Sequence, residues 1–534
     1  MKRKSALIGL FGFIFGCASA FAQGPCSAQT SKLACVIPQE YGSSAFNFTT
    51  VLYNPSSGTK DFHDFHFASD FSALLKPVTS EIGRQANLLP LASPSSGVVL
   101  SYDPSLKTLV ASTDSLGPVL GERGETVGRH RLFLGFSYQF FDFDKIDGIN
   151  LRNIPAILTH RIDTQDNTPM NSPPVTCDPS IGASSQENLM GCAFVRDLIK
   201  TANSIDLKVN QYTSYITFGL TNRIDISIVI PIENVRMALS SQDTIVLGSS
   251  GLFTPNSNSP DASILNQNNP PKNGQPYFFH LFKDCPNTSP SSGAAALGSN
   301  CLNHTFPDPT WIGTPSSPNG SSPKNAASGI GDVVARVKWN AWSAERMRVA
   351  VGLDVRFPSG DALNYLGSGA YGVKPFAVFS YRARVSPHVL VGYEWNSHSI
   401  LAGDLTTGSK GYVPSDFIYS AGADAAVTKW LTGSFDIIGQ RFFRGGTESV
   451  TSQQFLAPCT GTCDTAPTPN TVAYDNLSAN SNASYSITNA SMGIKVRPFG
   501  KVSRLVLTAN VLVRLDDGGL HSKAAPLAGI GYTF

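Results

Sequence analysis

Charge, long apolar runs and catalytic motifs are all scarce in this chain. Only 15% of its 534 residues are Asp, Glu, Lys or Arg, against roughly 25% in ordinary soluble domains. After Phe15 no apolar stretch reaches the ~20 residues of a membrane-spanning helix, so nothing beyond that point is expected to cross a bilayer as a helix. The formal net charge of +2 provides no concentrated basic surface, which argues against nucleic acid as a partner. No G-x-S-x-G, H-E-x-x-H or phosphate-binding loop is present. Most of the nine histidines, His280, His304, His398 and His521 among them, have no recognisable Ser or Asp motif beside them. An outer-membrane hydrolase would need such a constellation, so no enzyme is expected. His63-Asp64-Phe65-His66 offers two ligands without a third at useful spacing; neither a metal nor a cofactor is implied.

What is present begins with an export signal. Lys2, Arg3 and Lys4 precede an apolar run from Ala6 to Phe15 and small residues ending in Ala20-Phe21-Ala22. That is the layout of a cleavable secretory leader over residues 1–22, with Gln23 as the expected mature start. The run is short for an anchor, and no stop-transfer charges follow. Phe15, two residues before Cys17, is too bulky for a good lipoprotein signal.

The other cysteines fall into near neighbours: Cys26 with Cys35, Cys177 with Cys192, Cys285 with Cys301, and Cys459 with Cys463. Four local disulfides are expected, as an oxidising periplasm would allow. A metal site would require doubled C-x-x-C spacing or a nearby histidine, and the Thr/Pro/Asn-rich surroundings of Cys459 and Cys463 have neither.

Low charge coexists with a mean hydropathy of −0.04, a combination that arises when apolar residues alternate with small polar ones. Between Lys501 and Leu515, residues Leu505, Leu507, Ala509, Val511, Val513 and Leu515 share one face, while Arg504, Thr508, Asn510 and Arg514 share the other. Arg346 to Phe357 and Asn222 to Glu233 repeat the pattern, the latter with isoleucines from Ile224 to Ile232 on one side. So do Gly331 to Trp342, Pro387 to Asn396 and Leu431 to Phe442. The last strand places Ala528, Ile530, Tyr532 and Phe534 on one face, the arrangement expected of a segment read by barrel-assembly machinery.

Connections alternate in length. Short turns are expected at 219–222, 342–345, 384–387, 428–430 and 498–501. Longer stretches lie between them: Lys145 to Ser204, Ala238 to Ser328, Pro358 to Ala370, Ser397 to Pro414, Arg444 to Asn482 and Asp516 to Lys523. The fold class is therefore all-β, a transmembrane antiparallel barrel of about twelve strands, in the outer membrane of a Gram-negative cell and in contact with its lipid. A hairpin from Gly97–Tyr102 and Leu106–Ser112 would raise the count to about fourteen. The expected organisation is a leader (1–22), an N-terminal segment below or inside the barrel as a plug (23–127), and the barrel itself (128–534). Within the second segment, Phe67 to Leu89 reads as a helix or mixed element.

The same alternation aims Arg336, Lys338, Arg348, Asp354, Arg356, Glu394, Asp424, Asp436, Gln440, Arg504, Asn510 and Arg514 into the lumen. Interior charges of this kind pair with one another for structural reasons, or they form a selectivity lining for a solute. Arg336, Lys338, Arg348 and Arg356 form the best candidate for an anion-attracting wall.

Several segments then carry a family resemblance. They are Ser328-Gly329-Ile330-Gly331-Asp332 with Ala335-Arg336 and Trp339, Gly352 to Asp361 (GLDVRFPSGD), Gly372-Val373-Lys374-Pro375-Phe376, and Gly392-Tyr393-Glu394-Trp395-Asn396. Together these resemble an outer-membrane family named for a role in the meta-pathway of phenol degradation, which is similar in architecture to barrels that import hydrophobic compounds. The resemblance implies a channel for small hydrophobic or aromatic solutes. The N-terminal segment shows no match to the hatch of fatty-acid importers. The rival expectation is a non-transporting surface barrel whose disulfide-tied loops bind a partner or protect the envelope.

Overall fold

Strands with one apolar and one polar face can bury neither against water alone; closing into a barrel removes the edges and sorts the faces. The computed structural model describes residues 26, 32–37, 50–54, 59–62, 65–86, 89–93, 100–103, 108–111, 115–159, 198–246, 279–282, 303–306, 326–405, 408–456, 471–498 and 503–534. Twelve of its strands close into one antiparallel barrel. They are β1 Leu132–Phe143, β2 Leu198–Gly219, β3 Ile224–Val246, β4 Val333–Ser343, β5 Met347–Phe357, β6 Gly372–Tyr381, β7 Val385–Asn396, β8 Asp416–Ala426, β9 Leu431–Phe442, β10 Tyr485–Val496, β11 Leu505–Arg514 and β12 Ala524–Thr533. Each pairs with the next, and β12 returns to β1 with Ile530 opposite Phe136. The strands from Leu100–Asp103 and Thr108–Ala111 form a separate hairpin outside the barrel sheet, so the fourteen-strand alternative does not hold.

The barrel is inside out relative to a soluble one. Trp339, Val337, Phe435 and Ile494 are about half exposed on its exterior, while Lys338, Asp424, Asp436 and Lys495 are buried inside. Aromatic residues cluster on the exterior near both ends. Trp342, Trp430 and the Tyr532–Phe534 pair (ring centroids 4.7 Å apart) lie near the short turns. Near the long loops sit Tyr371, Trp395 and Phe443, with Tyr393 bridging the latter two at 5.0 and 6.1 Å. An apolar band between two aromatic girdles is the exterior that lipid requires.

The β2–β3 hairpin corrects one expectation. Its strands are 22 and 23 residues long, well beyond the ~10 needed to cross a bilayer, and they extend into the sequence expected to be loop, over residues 198–204 and 238–246. The reason lies in polarity. Along β3, Ile224 to Ile232 face outward with Asp225 and Ser227 inside. Past Asn234 the pattern inverts, with Val235, Met237 and Leu239 buried and Arg236, Ser240 and Gln242 exposed. The isoleucine stripe marks only the lower half of the strand; the upper half is built for water outside and an apolar core inside.

That upper core is a dome over the long-loop end. Helix α1, Phe65–Ala86, buries Leu75, Val78 and Ile82 there with Leu158, Leu207, Val235, Met237, Tyr365 and Leu401. Gly83 lies against Tyr365 and Leu401, where a Cβ would meet both side chains at 3.0 Å. Cys26 and Cys35 are disulfide-bonded, and the same short segment docks nearby: Cys26 N donates to Leu405 O (2.6 Å), and Lys32 pairs with Asp361 at 2.6 Å. The other three expected pairs, Cys177–Cys192, Cys285–Cys301 and Cys459–Cys463, lie outside the described residues, as does the leader.

Candidate functional site

The N-terminal segment reaches from the dome into the lumen and sets the geometry of the site. Below α1, Ala92 N donates to Tyr215 Oη (3.1 Å) and Ser93 N to Val119 O (3.1 Å). Residues 115–127 then cross the lumen near the short-turn end, from Leu116 N on Thr432 Oγ1 (2.9 Å) to Val127 N on Asp225 Oδ2 (2.9 Å). Irregular backbone buried in this way needs partners for its polar groups, and inward side chains of the wall supply them. Gly124 N donates to Ser380 Oγ (3.1 Å), Asn340 Nδ2 donates to Gly124 O (2.5 Å), and Lys495 Nζ donates to Pro118 O. The close approach leaves no room for side chains at two places. A Cβ on Gly121 would stand 2.8 Å from both Asp436 Oδ1 and His388 Nε2, and one on Gly124 would stand 2.8 Å from Arg348 Cβ.

Consecutive residues of this segment carry opposite charges to opposite walls. Glu122 accepts from Arg336 Nη1 (2.7 Å) and Lys338 Nζ (3.0 Å) on β4. Arg336 also holds Asp354 with a two-point fork, Nε at 2.6 Å and Nη2 at 2.8 Å, and Asp354 takes Lys374 Nζ at 3.1 Å. Arg123 reaches the far wall, where Asp424 takes its Nε (3.0 Å) and Nη2. Asp424 also faces His388, whose Nε2 lies 2.5 Å from Asp436 Oδ1. Glu125 completes the series by accepting from Arg382 Nε at 2.8 Å. Bidentate, charge-assisted pairs of this kind fix orientation as well as supplying energy.

A second knot forms where the family-like segments meet. Arg356 donates to Glu394 Oε1 (2.9 Å from Nη2), Asp332 Oδ2 (3.2 Å) and Ala370 O (3.3 Å), and also to Ser368 Oγ and Asn396 Oδ1. Asp332 in turn accepts from Ser368 N (2.8 Å) and Gly360 N (3.2 Å). The glycines of those segments are explained by crowding: a Cβ on Gly360 would lie 2.3 Å from Leu366 O, and one on Gly372 would lie 2.3 Å from Glu394 Oε1.

Between these knots, residues 115–127 and the dome is a cavity of about 210 Å³. Arg336, Asp354, Arg356, Lys374 and Glu394 line one wall; Leu390, Ile418, Ile438, Gln440 and Leu512 line the other, with Leu89, Leu91 and Leu120 from the N-terminal segment. Ser420 Oγ, on this second wall, has no hydrogen-bond partner.

The sequence-derived candidates thus divide. Arg336, Asp354, Arg356, Glu394, Gln440 and Arg514 line the cavity, Arg514 also bonding Asp516 at 2.8 Å. Lys338, Asp424 and Asp436 lie closer to the short turns, against residues 121–123. Asn510 takes Ser491 Oγ at 3.2 Å. Arg348 sits under Gly124 and donates to Met347 O (2.8 Å). Arg504 precedes β11 and is exposed. The Arg336, Lys338 and Arg356 side chains are each engaged by carboxylates, so they do not present an unneutralised wall.

Sequence reasoning missed Glu122, Arg123 and His388. The signals were available: Glu122, Arg123 and Glu125 are a dense charged run in a charge-poor chain just before the first strand, and His388 shares the inward parity of Glu394. Among the described residues no group of three or more His, Cys, Asp or Glu is arranged to hold a metal ion.

No protein-family model matches this chain, and no curated protein matches it. Solved structures with some likeness include an outer-membrane channel from Pseudomonas putida F1, at 10% identity over 78% of this chain and 100% of that one, with a TM-score of 0.39. A Pseudomonas aeruginosa FadL homologue shows 7% identity over 82% and 94%, with a TM-score of 0.24. The Ralstonia pickettii toluene transporter TbuX shows 10% identity over 76% and 90%, with a TM-score of 0.21.

Proposed function

We propose that the protein is an outer-membrane channel for the passive uptake of small hydrophobic or aromatic molecules, with residues 128–534 as barrel and 23–127 as plug. Lipid contacts the apolar band, the last strand engages the assembly machinery, and the long loops face outward. The observation that carries the reading is the lumenal cavity. Its second wall is mostly apolar, its charges are mutually neutralised, and its volume of about 210 Å³ exceeds the ~150 Å³ that accommodates benzene in an engineered apolar site. A solute pausing there would exchange water for Leu, Ile and Phe side chains without uncovering an unpaired charge.

The test is uptake of a radiolabelled one-ring aromatic alcohol by cells that make the protein. Uptake is expected to exceed that of cells lacking it, and Ile438→Trp, which fills the cavity, is expected to lower it about tenfold, a loss of about 1.4 kcal/mol in transit free energy. Equal uptake with and without the protein would remove the channel reading. The dome and the segment across the lumen would then favour a non-transporting surface barrel.

A further inference from the structure

The seam between α1 and the long loops is unusual for an interface otherwise made of Leu, Val and Ile. Three carboxylates from three elements meet there. Glu81 on α1 is 1% exposed and accepts from Gln85 Nε2 at 2.8 Å. Glu448, at the start of the Thr447–Leu456 strand, is 4% exposed, and its Oε2 has no hydrogen-bond partner. Asp147, in the turn after β1, accepts from Glu448 N at 2.7 Å and from Gly519 N at 2.6 Å. Against these stands Arg84, whose Nε is also without a hydrogen-bond partner. The remaining groups facing the cluster are Tyr485, whose Oη accepts from Gln85 Nε2 at 3.0 Å, and the Lys145–Asp517 pair at 3.2 Å. One arginine cannot neutralise the buried Glu81 and Glu448 together with the half-buried Asp147 beside them, and burying an uncompensated carboxylate is costly enough that protonation is the usual escape.

We propose that Glu81 and Glu448, packed against Asp147 and Arg84, form a proton-dependent latch that holds helix α1 on the long loops when they are protonated and releases it when both are ionised. The proposal rests on the reading that the long-loop end is the entrance, and it gives that entrance a trigger. Burial pushes the Glu448 carboxyl up to about 8; Asp147 beside it adds to the push and Arg84 opposes it. Burial likewise holds Glu81 well above the usual carboxylate range, with Asp147 reinforcing, Arg84 opposing and Glu448 reinforcing. Both shifts are upward, so the docked helix binds more protons than the released one. Its stabilisation is fully present below the ordinary carboxylate range and is lost as pH rises toward about 8. The weak point is placed to matter, because α1 leads directly into Leu89–Leu91 on the cavity wall.

Hydrogen–deuterium exchange of the purified full-length protein tests this, with rates corrected for intrinsic chemistry and referred to a β9 peptide. Exchange of α1 amides is expected to accelerate by up to roughly tenfold per pH unit for each proton released, between about pH 5 and about pH 8. The Glu81→Gln, Glu448→Gln double variant is expected to hold α1 equally protected across that range. Glu448→Gln alone, expected to flatten the response by about half on a logarithmic scale, serves if the double variant fails to fold. Constant α1 protection in the wild type, or an unchanged pH response in the variants, overturns the latch. Loss of uptake with the exchange response intact would remove the channel reading and leave the latch standing; uptake without the exchange response would remove the latch alone.

Discussion

The N-terminal segment is held at two places by different physics. Near the short turns, residues 115–127 are fastened by directional ion pairs, each charge of the segment meeting a wall charge of opposite sign: Glu122 with Arg336 and Lys338, Arg123 with Asp424, and Glu125 with Arg382. At the dome, α1 is held by Leu75, Val78 and Ile82 in an apolar core, with the excess carboxylates confined to one seam. Compensated charge resists partial displacement, because removing one partner strands the other in a low-dielectric interior. Apolar packing is less directional, so α1 can lift as a body once the seam is charged. The contrast assigns holding to the lower site and motion to the upper one.

Substitutions can break or sharpen this contrast. The largest effect is expected from Arg123→Met, which leaves Asp424 without its guanidinium partner. Opening of residues 115–127 should become easier by about 3 to 5 kcal/mol, read as lost exchange protection there, with α1 unaffected. Parallel loosening of α1 would mean that the two sites act as one unit. Next is Ile82→Ala, which empties a fully buried position in the dome and should cost about 3 kcal/mol of α1 docking, with 115–127 unchanged in the same measurement. The smallest is Gly121→Ala. Its Cβ would press on His388 and Asp436, costing about 2 kcal/mol by overpacking and lowering the thermal midpoint without changing the pH response of α1.

The legibility of these regions in the sequence follows the same divide. Strands β4 to β11 were readable because lipid outside and a polar interior inside impose period two over each crossing; the residues from Met347 to Phe357 alternate almost without exception. The upper half of β3 was not, because polarity inverts at the lipid boundary while the period continues. Half of the site was likewise visible. Parity aimed Arg336, Asp354, Arg356 and Glu394 inward, but it could not say that Glu122, 214 residues from Arg336 along the chain, would arrive against β4 to take two of its cations.

By itself the sequence determined an all-β chain with apolar and polar faces, the alternation of short and long connections, and the inward parity of wall charges such as Arg336, Asp354, Arg356 and Glu394. Those depend on neighbours one or two positions away and on the solvent each face must meet. Only the tertiary structure decided that the barrel stops at twelve strands, that the N-terminal segment crosses the lumen from the long-loop end, and that Glu81, Asp147 and Glu448 share one seam. Those depend on contacts between segments far apart in the chain, which no local period records.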